Sequence, residues 1–490
     1  MIGRNGVRWG AALGVAGLAI ATYLIVRQES APDVSMQPLP EAPGGIQAVN
    51  PQVRVWTRTI TLVRGDGAAA ASIENGQPGD SAWLDRSDSR FHPRDEIFGA
   101  ASIPASTAAQ RGPFYRYAGG LLRACGKAAD RPEIRCTRWA GPADPPPDQR
   151  MRAVERLLER YDHGTGLWEQ DASTWQSAKA LTTVIDYMSR TGDRQYLGYV
   201  DETYRHGDIA RTGVPVQTGY NDDALWWALT WIRAFDLAHE PRYLDAARKI
   251  VDGLGDQRAS FCAGGLAWAR TGIDPDLHPW TQVNSITNGL YLTATALLST
   301  RVEPSDRSSY LARATTTWDW FTTGAGRALL GPSGVINDHL DQYGGTCVLV
   351  DENRRWTYDQ GMLISGLVAL HRATGNGALL TSADRIAAAA THDGSVFIQN
   401  GILNEPSATT CPGPDCHDAE TYKGVLVRGY RELEDTGRST VATAEFLTRQ
   451  AQSLRDTADE YGFRWQGPPR DDDHPNFATQ TAALDALNAV

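Results

Sequence analysis

From about residue 150 to the C-terminus one pattern recurs, and it limits the fold more than any other feature of the chain. An apolar helical stretch runs into a short turn, and a second helix opens on a Leu. Three copies are legible: VIDYMSRTGDRQYLGYVDETY, WIRAFDLAHEPRYLDAARKIV and LVALHRATGNGALLTSADRIA. The first helix of each is expected to end near Thr191-Gly192, Ala238-His239 or Thr374-Gly375, where a helix cap belongs. The second is expected to begin around Tyr196-Leu197, Tyr243-Leu244 or Leu379-Leu380. Further candidates at 148–162, 281–301, 305–324, 418–435, 438–457 and 473–490 bring the total to roughly twelve helices. A single helical hairpin cannot bury its apolar face alone, so hairpins stack. Six of them can close into a double-layered (α/α)6 barrel, with an open solenoid as the alternative. Long connecting loops rich in Gly, Asp and Trp favour closure, with the loops gathered at one mouth.

The N-terminal third is of another kind. Arg4 and Arg8 precede an apolar run, WGAALGVAGLAIATYLIV, that ends at Val26 before Arg27. Its length suits a short membrane-spanning helix, and no clean small-x-small cleavage site precedes Pro32. An uncleaved signal anchor over residues 1–27 is therefore favoured over a cleaved signal peptide, and its basic flank sends the rest of the chain outward. Residues 28–50 read as a Pro-rich linker. Residues 51–142 begin with the alternating, β-branched VRVWTRTITLV of a small β-rich module, and GPADPPPDQ closes it before the helical region at 150–490. The expected fold is thus mainly α, an (α/α)6 barrel behind a β-rich module and an N-terminal membrane anchor or signal segment.

The six cysteines suit an oxidising, extracytoplasmic compartment, secreted or membrane-anchored. Cys125 and Cys136 flank a hairpin-like segment, Cys411 and Cys416 bracket PGPD, and Cys262 and Cys347 remain; sequence alone does not fix the connectivity. No paired CxxC with spaced His marks a zinc site. DPDLHPW (274–280) and DDDHP (471–475) carry metal-ligand residue types without the spacing of a standard site, so no metal and no cofactor is expected. A net charge of -11 argues against nucleic acid or a polyanionic substrate as partner. Fifteen Trp residues offer flat faces on which sugars stack, although Trp equally fills cores.

Chemistry concentrates in TGYNDDALWWALTWIRAFDLAHEPRYL, where a helix is expected at or just after Asp222-Asp223. These acids could simply cap it. Yet one capping acid suffices, two stand together, and Tyr220, Trp226 and Trp227 crowd them. Hydrolysis of a glycosidic bond with retention needs two carboxyl groups about 5–5.5 Å apart, one attacking and one donating a proton. Neighbouring residues in a non-helical loop can meet that spacing, and like charges so close keep one of the pair protonated near neutral pH.

Seven segments in order then resemble glycoside hydrolase family 76, the endo-α-1,6-mannanases, whose hallmark is an adjacent Asp pair. They are GTGLWEQDASTWQSAKAL, YNDDALWW with its AF.LAHEPRYLDAA sequel, CAGGLAW, NSITNGLYL, VINDHL, WTYDQGMLISGLVAL and TYKGVLVR, spanning residues 150 to 490. The resemblance implies an (α/α)6 barrel and an endo-acting retaining hydrolase of α-mannan that works through a covalent glycosyl-aspartate. It implies Asp222 as nucleophile, Asp223 as general acid/base and Asp338 as a ligand for sugar hydroxyls. Asn284, Asn288, Tyr358 and Gln360 would line the cleft, Tyr220 would stand beside the pair, and Trp175, Trp226, Trp227 and Trp268 would be stacking walls. A monomer is expected. Three departures stand in loops that would touch sugar: Val283 for Lys, Ala263 for Gly, and Asp359 for Asn. A cell-wall transglycosylase acting on a mannose-containing glycan and a non-catalytic glycan-binding protein are the competing functions. An unsaturated-uronide hydrolase is disfavoured by the acidic charge balance.

Overall fold

The alternation that opens the N-terminal region does form strands in the computed structural model. The structure describes residues 36, 38–89, 92–116, 121–132, 134–141, 148–168, 174–206, 208–214, 219–254, 258, 262–270, 281–343, 345–406, 414–439, 442–454, 460–466 and 475–490. The anchor expected at 1–27, linker residues 28–35 and 37, the 274–280 cluster, most of the 471–475 cluster and Cys411 of the Cys411–Cys416 bracket lie outside the described residues. No helix among the described residues is long and apolar enough to cross a membrane.

β1 (Gln47–Val55), β2 (Arg58–Gly65) and β3 (Ala68–Glu74) form an antiparallel meander, with β6 (Gln110–Arg111) and β7 (Tyr115–Arg116) on the free side of β3. A second antiparallel sheet runs in the order β5 (His92–Ser102), β4 (Ser81–Ser89), β8 (Leu121–Lys127), β9 (Ile134–Cys136). Val55, Ile60, Leu62, Ala71 and Ile73 of the first sheet share one core with Ala82, Leu84, Leu122 and Ala124 of the second, so the two sheets form a sandwich. The Cys125–Cys136 disulfide links the paired strands β8 and β9. Arg135 donates to the Glu159 carbonyl at 2.9 Å, and Arg138 pairs with Glu155 at 3.6 Å, tying the sandwich to the first helix of the next region.

That region is built from helical hairpins. Its helices are α1 (Gln149–Leu158), α2 (Trp175–Thr191), α3 (Leu197–Arg205), the single turn α4 (Ile209–Thr212), α5 (Asn221–Ala238), α6 (Pro241–Gly253), α7 (Ser285–Leu298), α8 (Pro304–Thr322), α9 (Thr357–Thr374), α10 (Ala378–Thr391), α11 (Tyr422–Glu434), α12 (Thr443–Ser453) and α13 (Phe477–Asn488). α2, α5 and α9 end where the repeats place them, on Gly192, His239 and Gly375 in the left-handed conformation. α6 begins earlier than its Tyr-Leu pair suggests, because Pro241 is suited to the first helical position.

Closure follows from the packing order. α2 lies on α5, α5 on α7, α7 on α9, α9 on α11, α11 on α13, and α13 returns to α2. The other partners (α1, α3, α6, α8, α10 and α12) pack outside this ring of six. The inner helices are buried on nearly every face: all of α13 and thirteen positions of α7 are inaccessible. Glycines permit the closest approach within the ring. A Cβ on Gly361 of α9 would stand 2.4 Å from the Leu426 Cα and the Val425 carbonyl oxygen of α11, and one on Gly429 would stand 2.4 Å from the Gly361 carbonyl oxygen. Short hairpins interrupt the helices: β10 (Tyr161–Asp162) with β11 (Leu167–Trp168), β12 (Gln282–Asn284) with β13 (His339–Tyr343) and β14 (Thr346–Leu349), and β15 (Ile398–Gln399) with β16 (Ile402–Leu403). The Cys262–Cys347 disulfide ties the segment before β12 to β14.

Candidate active site

The N-termini of the inner helices come together at one mouth of the ring, and most of the expected site residues sit on them. Trp175 opens α2 and stacks on Trp226 of α5, with centroids 5.9 Å apart. Trp175 also meets Tyr422 at the start of α11 at 6.2 Å, and Tyr422 stacks on Tyr358 of α9 at 3.8 Å. Trp356 packs its edge against the same Tyr422 at 5.4 Å. An aromatic band thus joins three inner-helix starts to the first turns of α5.

Asp222 and Asp223 lie in the first turn of α5, half-buried, at the expected helix start and not in the non-helical loop on which the expected spacing rests. The turn is locked from the side. Asn221 donates its backbone amide to the Trp268 carbonyl at 2.8 Å and its side-chain amide to the Ala267 carbonyl at 2.9 Å. The Trp268 amide in turn donates to the Gln282 carbonyl at 2.9 Å, which passes the restraint to β12. Trp268, fixed in this way, turns its indole N–H to the Asp222 Oδ2 at 2.9 Å, with its ring 5.1 Å from that of Tyr220. The Asp223 amide donates to the Asp222 Oδ1 at 3.1 Å.

These surroundings pull Asp222 in both directions. Burial pushes its carboxyl up to about 7, with Asp418 adding to the rise, while the Trp268 indole and the amides of the first turn pull it back. An N-terminal turn favours negative charge, so an anion here has three sources of support: the helix end, an indole and an amide.

Asp338 stands on the segment leading into β13, nearly buried, with the His339 Nδ1 3.1 Å from its Oδ2. Its charge is felt by Tyr358, Tyr422 and Asp359. Asn284 caps α7, accepting from the Thr287 amide at 3.1 Å. Ala263, the departure from Gly, holds a left-handed backbone with φ of 50° that glycine adopts more easily.

Three expected cleft residues turn out to be framework. Trp227 lies in the core, stacked on Trp231 at 5.5 Å, with its indole N–H 3.2 Å from the Thr174 hydroxyl. Asn288 is wholly buried: its Oδ1 accepts from the Leu266 amide at 2.8 Å, and its Nδ2 donates to the carbonyls of Leu266 and Asn284 at 3.0 and 2.8 Å. Gln360 clamps residue 336 in the same manner, accepting at 2.8 Å and donating at 2.9 Å, with a further bond to the Trp356 carbonyl at 3.0 Å. The amides of Asn288 and Gln360, engaged at both ends by backbone, position the loops. Conversely, Tyr422, Asp418 and Glu405 are not picked out individually from the sequence. Tyr422 lies within the quoted TYKGVLVR, and the buried Asp359 is visible in WTYDQGMLISGLVAL only as a departure.

Known proteins resemble this chain in sequence and in fold. Residues 151–490 match the model of glycosyl hydrolase family 76. A mannan endo-1,6-alpha-mannosidase of Saccharomyces cerevisiae is 22% identical over 293 residues, 55% of this chain and 59% of the relative, so the match spans about three fifths of that protein's length. A second mannan endo-1,6-alpha-mannosidase, from Candida glabrata, is 23% identical over 294 residues, with 55% of this chain and 60% of the relative covered. Among solved structures, the alpha-1,6-mannanase of Salegentibacter sp. HEL1_6 superposes with a TM-score of 0.59 at 22% identity, covering 70% of this chain and 97% of that one. An inactive variant of that mannanase, with two successive aspartates replaced by alanine, was solved with alpha-1,6-mannotetrose and superposes with a TM-score of 0.59 at 21% identity, with 70% and 97% covered. At such identities the likeness shows a shared fold, the α/α barrel.

Proposed function

The chain belongs to glycosyl hydrolase family 76, and from that premise we propose that it is an endo-acting retaining glycoside hydrolase that cleaves α-1,6-mannosidic bonds in mannan-type polysaccharide. The observation that carries this is the adjacent acid pair at the barrel mouth, with Asp222 held by an indole and an amide while burial raises it to about 7. Support for the substrate comes from the relatives, since proteins that share the family and the fold are mannan endo-1,6-alpha-mannosidases and an alpha-1,6-mannanase.

In the proposed reaction an Asp222 oxygen attacks the anomeric carbon while Asp223 gives its proton to the departing glycosidic oxygen. The anomeric C–O bond breaks and a glycosyl-aspartate ester forms. Asp223, now ionised, takes a proton from water as the water oxygen attacks the same carbon, and Asp222 leaves. The pair must carry one proton between them at the start; the raised Asp222 lets the two carboxyls share it, and attack proceeds from the arrangement with the proton on Asp223. Two donors on Asp222 stabilise its anion as it leaves, which favours it as the nucleophile. Trp175, Trp226, Tyr358 and Tyr422 form the aromatic side of the cleft, and Asp338 the side that accepts hydroxyl hydrogens. Two disulfides suit an extracytoplasmic site of action.

Incubation with unbranched α-1,6-mannan tests the proposal. Asp222→Asn and Asp223→Asn should each lower the release of mannooligosaccharides by about a thousandfold or more with the fold intact. Full activity in either variant removes the assignment. Products that begin as the β-anomer would indicate inversion. Oligomers longer than the acceptor supplied would indicate glycosyl transfer instead of hydrolysis.

A further inference from the structure

One buried acid has no part in the steps above. Asp359 lies in the first turn of α9 with 1% of its surface exposed, and no donor among the described residues reaches either of its carboxylate oxygens. Its neighbours on the same turn are fully engaged. Thr357 gives its amide to Glu405 at 3.2 Å and its hydroxyl to the same carboxylate, and Gln360 clamps residue 336. The lack of a partner is therefore particular to Asp359.

The groups around it are nearly all acids. Asp222 faces it from α5, Asp338 from the segment before β13, and Glu405 from the segment after β16; each opposes a negative charge on Asp359. Tyr358 on its own helix and Tyr422 on α11 are neutral phenols that feel the same charge. His339 on β13 is engaged with Asp338 at 3.1 Å, and Lys423 on α11 acts on Glu405. Burial first, then these like charges, raise Asp359 well above the usual carboxylate range. A protonated carboxyl has the outline of a carboxamide and, like it, one donor and one acceptor side.

We propose that Asp359 is a positioning residue for the aspartate pair, an uncharged buried acid whose neutrality leaves the negative charge of the site to Asp222. Ionised, it would set a second anion behind the nucleophile and drive a proton back onto Asp222. The inference rests on the roles given above to Asp222 and Asp223.

Asp359→Asn, with the shape kept and the titration removed, provides the test in the full chain. Thermal melting and the pH dependence of kcat on unbranched α-1,6-mannan are both compared with wild type between about pH 5 and pH 9. In the wild type the folded state keeps a proton that the unfolded chain has released, so stability falls as pH rises through this window; the variant lacks that loss. The expected result is a melting-temperature advantage of the variant that widens with pH. Because the carboxamide is as uncharged as the protonated acid, the two kcat profiles should coincide wherever Asp359 keeps its proton. A gap that stays constant with pH overturns the proposal, as does a variant kcat profile displaced from the wild type's around neutral pH. A variant that loses its rate at every pH also overturns it, because an ionised carboxylate would then be required. A wild type inactive on mannan overturns the enzyme assignment instead, and the melting curves still decide the charge state of Asp359.

Discussion

Replacing Trp268 with Phe removes one atom of consequence, the indole N–H that reaches the Asp222 Oδ2 at 2.9 Å, and keeps a ring against Tyr220. A hydrogen bond to a charged acceptor contributes about 1.5–3 kcal/mol, and the half-buried setting of Asp222 places this one near the lower end. At 1.36 kcal/mol per unit, a loss of about 1.5–2 kcal/mol raises the carboxyl by about one to one and a half units. Asp222 starts at about 7. Its ionised fraction at neutral pH should therefore fall from about a half to between about a tenth and a thirtieth. As nucleophile it must be ionised, so kcat/KM at pH 7 should drop about five- to fifteenfold and recover by about pH 9. The assay is the pH profile of kcat/KM on an unbranched α-1,6-mannooligosaccharide. An acid limb that does not move refutes the electrostatic account of Trp268. An alkaline limb that moves up, with the neutral rate unchanged, would make Asp222 the proton donor and exchange the two roles.

Gly361→Ala should destabilise the barrel by about 2–3 kcal/mol, read as a lower urea midpoint, because the added Cβ meets α11 backbone and neither helix can yield cheaply. Replacing both Cys262 and Cys347 by Ser opens a link across 85 residues and should cost up to about 4–5 kcal/mol. The same change at Cys125 and Cys136, which span 11, should cost about 3 kcal/mol at most, so equal losses would count against loop closure as the cause.

The helical hairpins were legible because their turns carry chemistry: left-handed caps at Gly192, His239 and Gly375 stop helices in a way that one chain can display. Membership of the inner ring was less legible. α7 and α13 are buried on nearly all sides and so show no polar face for periodicity to find. The two-residue strands and β12–β14 are too short for an alternating pattern. At the site, adjacency marked Asp222 and Asp223, since two acids exceed what one helix start needs. Direction could not be read. Trp227, Asn288 and Gln360 have the right side chains in the right segments, and only the packing shows them turned into the frame. Asp418 acts on Asp222 from a 3-10 turn some two hundred positions away, and Tyr422 joins the aromatic band from the next helix, a proximity that no local pattern encodes. Asp359 showed as a departure from the resembled motif, but its burial among acids belongs to the fold.

The division of labour at the mouth follows from this contrast. Amide side chains hold the frame: Asn221 and Asn288 bind the 266–268 segment to α5 and α7, and Gln360 binds residue 336 to α9. An amide suits that task because its donor and acceptor do not change with pH. Asp222, Asp338 and Glu405 are set inside that frame close enough to oppose a charge on Asp359. A looser loop would admit water, and the carboxyls of Asp222, Asp359 and Glu405 would relax toward ordinary values. The rigid frame is therefore what keeps Asp222 raised to about 7 and Glu405 to about 8. Such acids cost stability as pH rises above the unfolded value, since the folded chain must either keep their protons or bear the charge. The closely packed apolar core of the ring offsets that cost, and for the proposed reaction the gain is a pair of neighbouring carboxyls that share one proton.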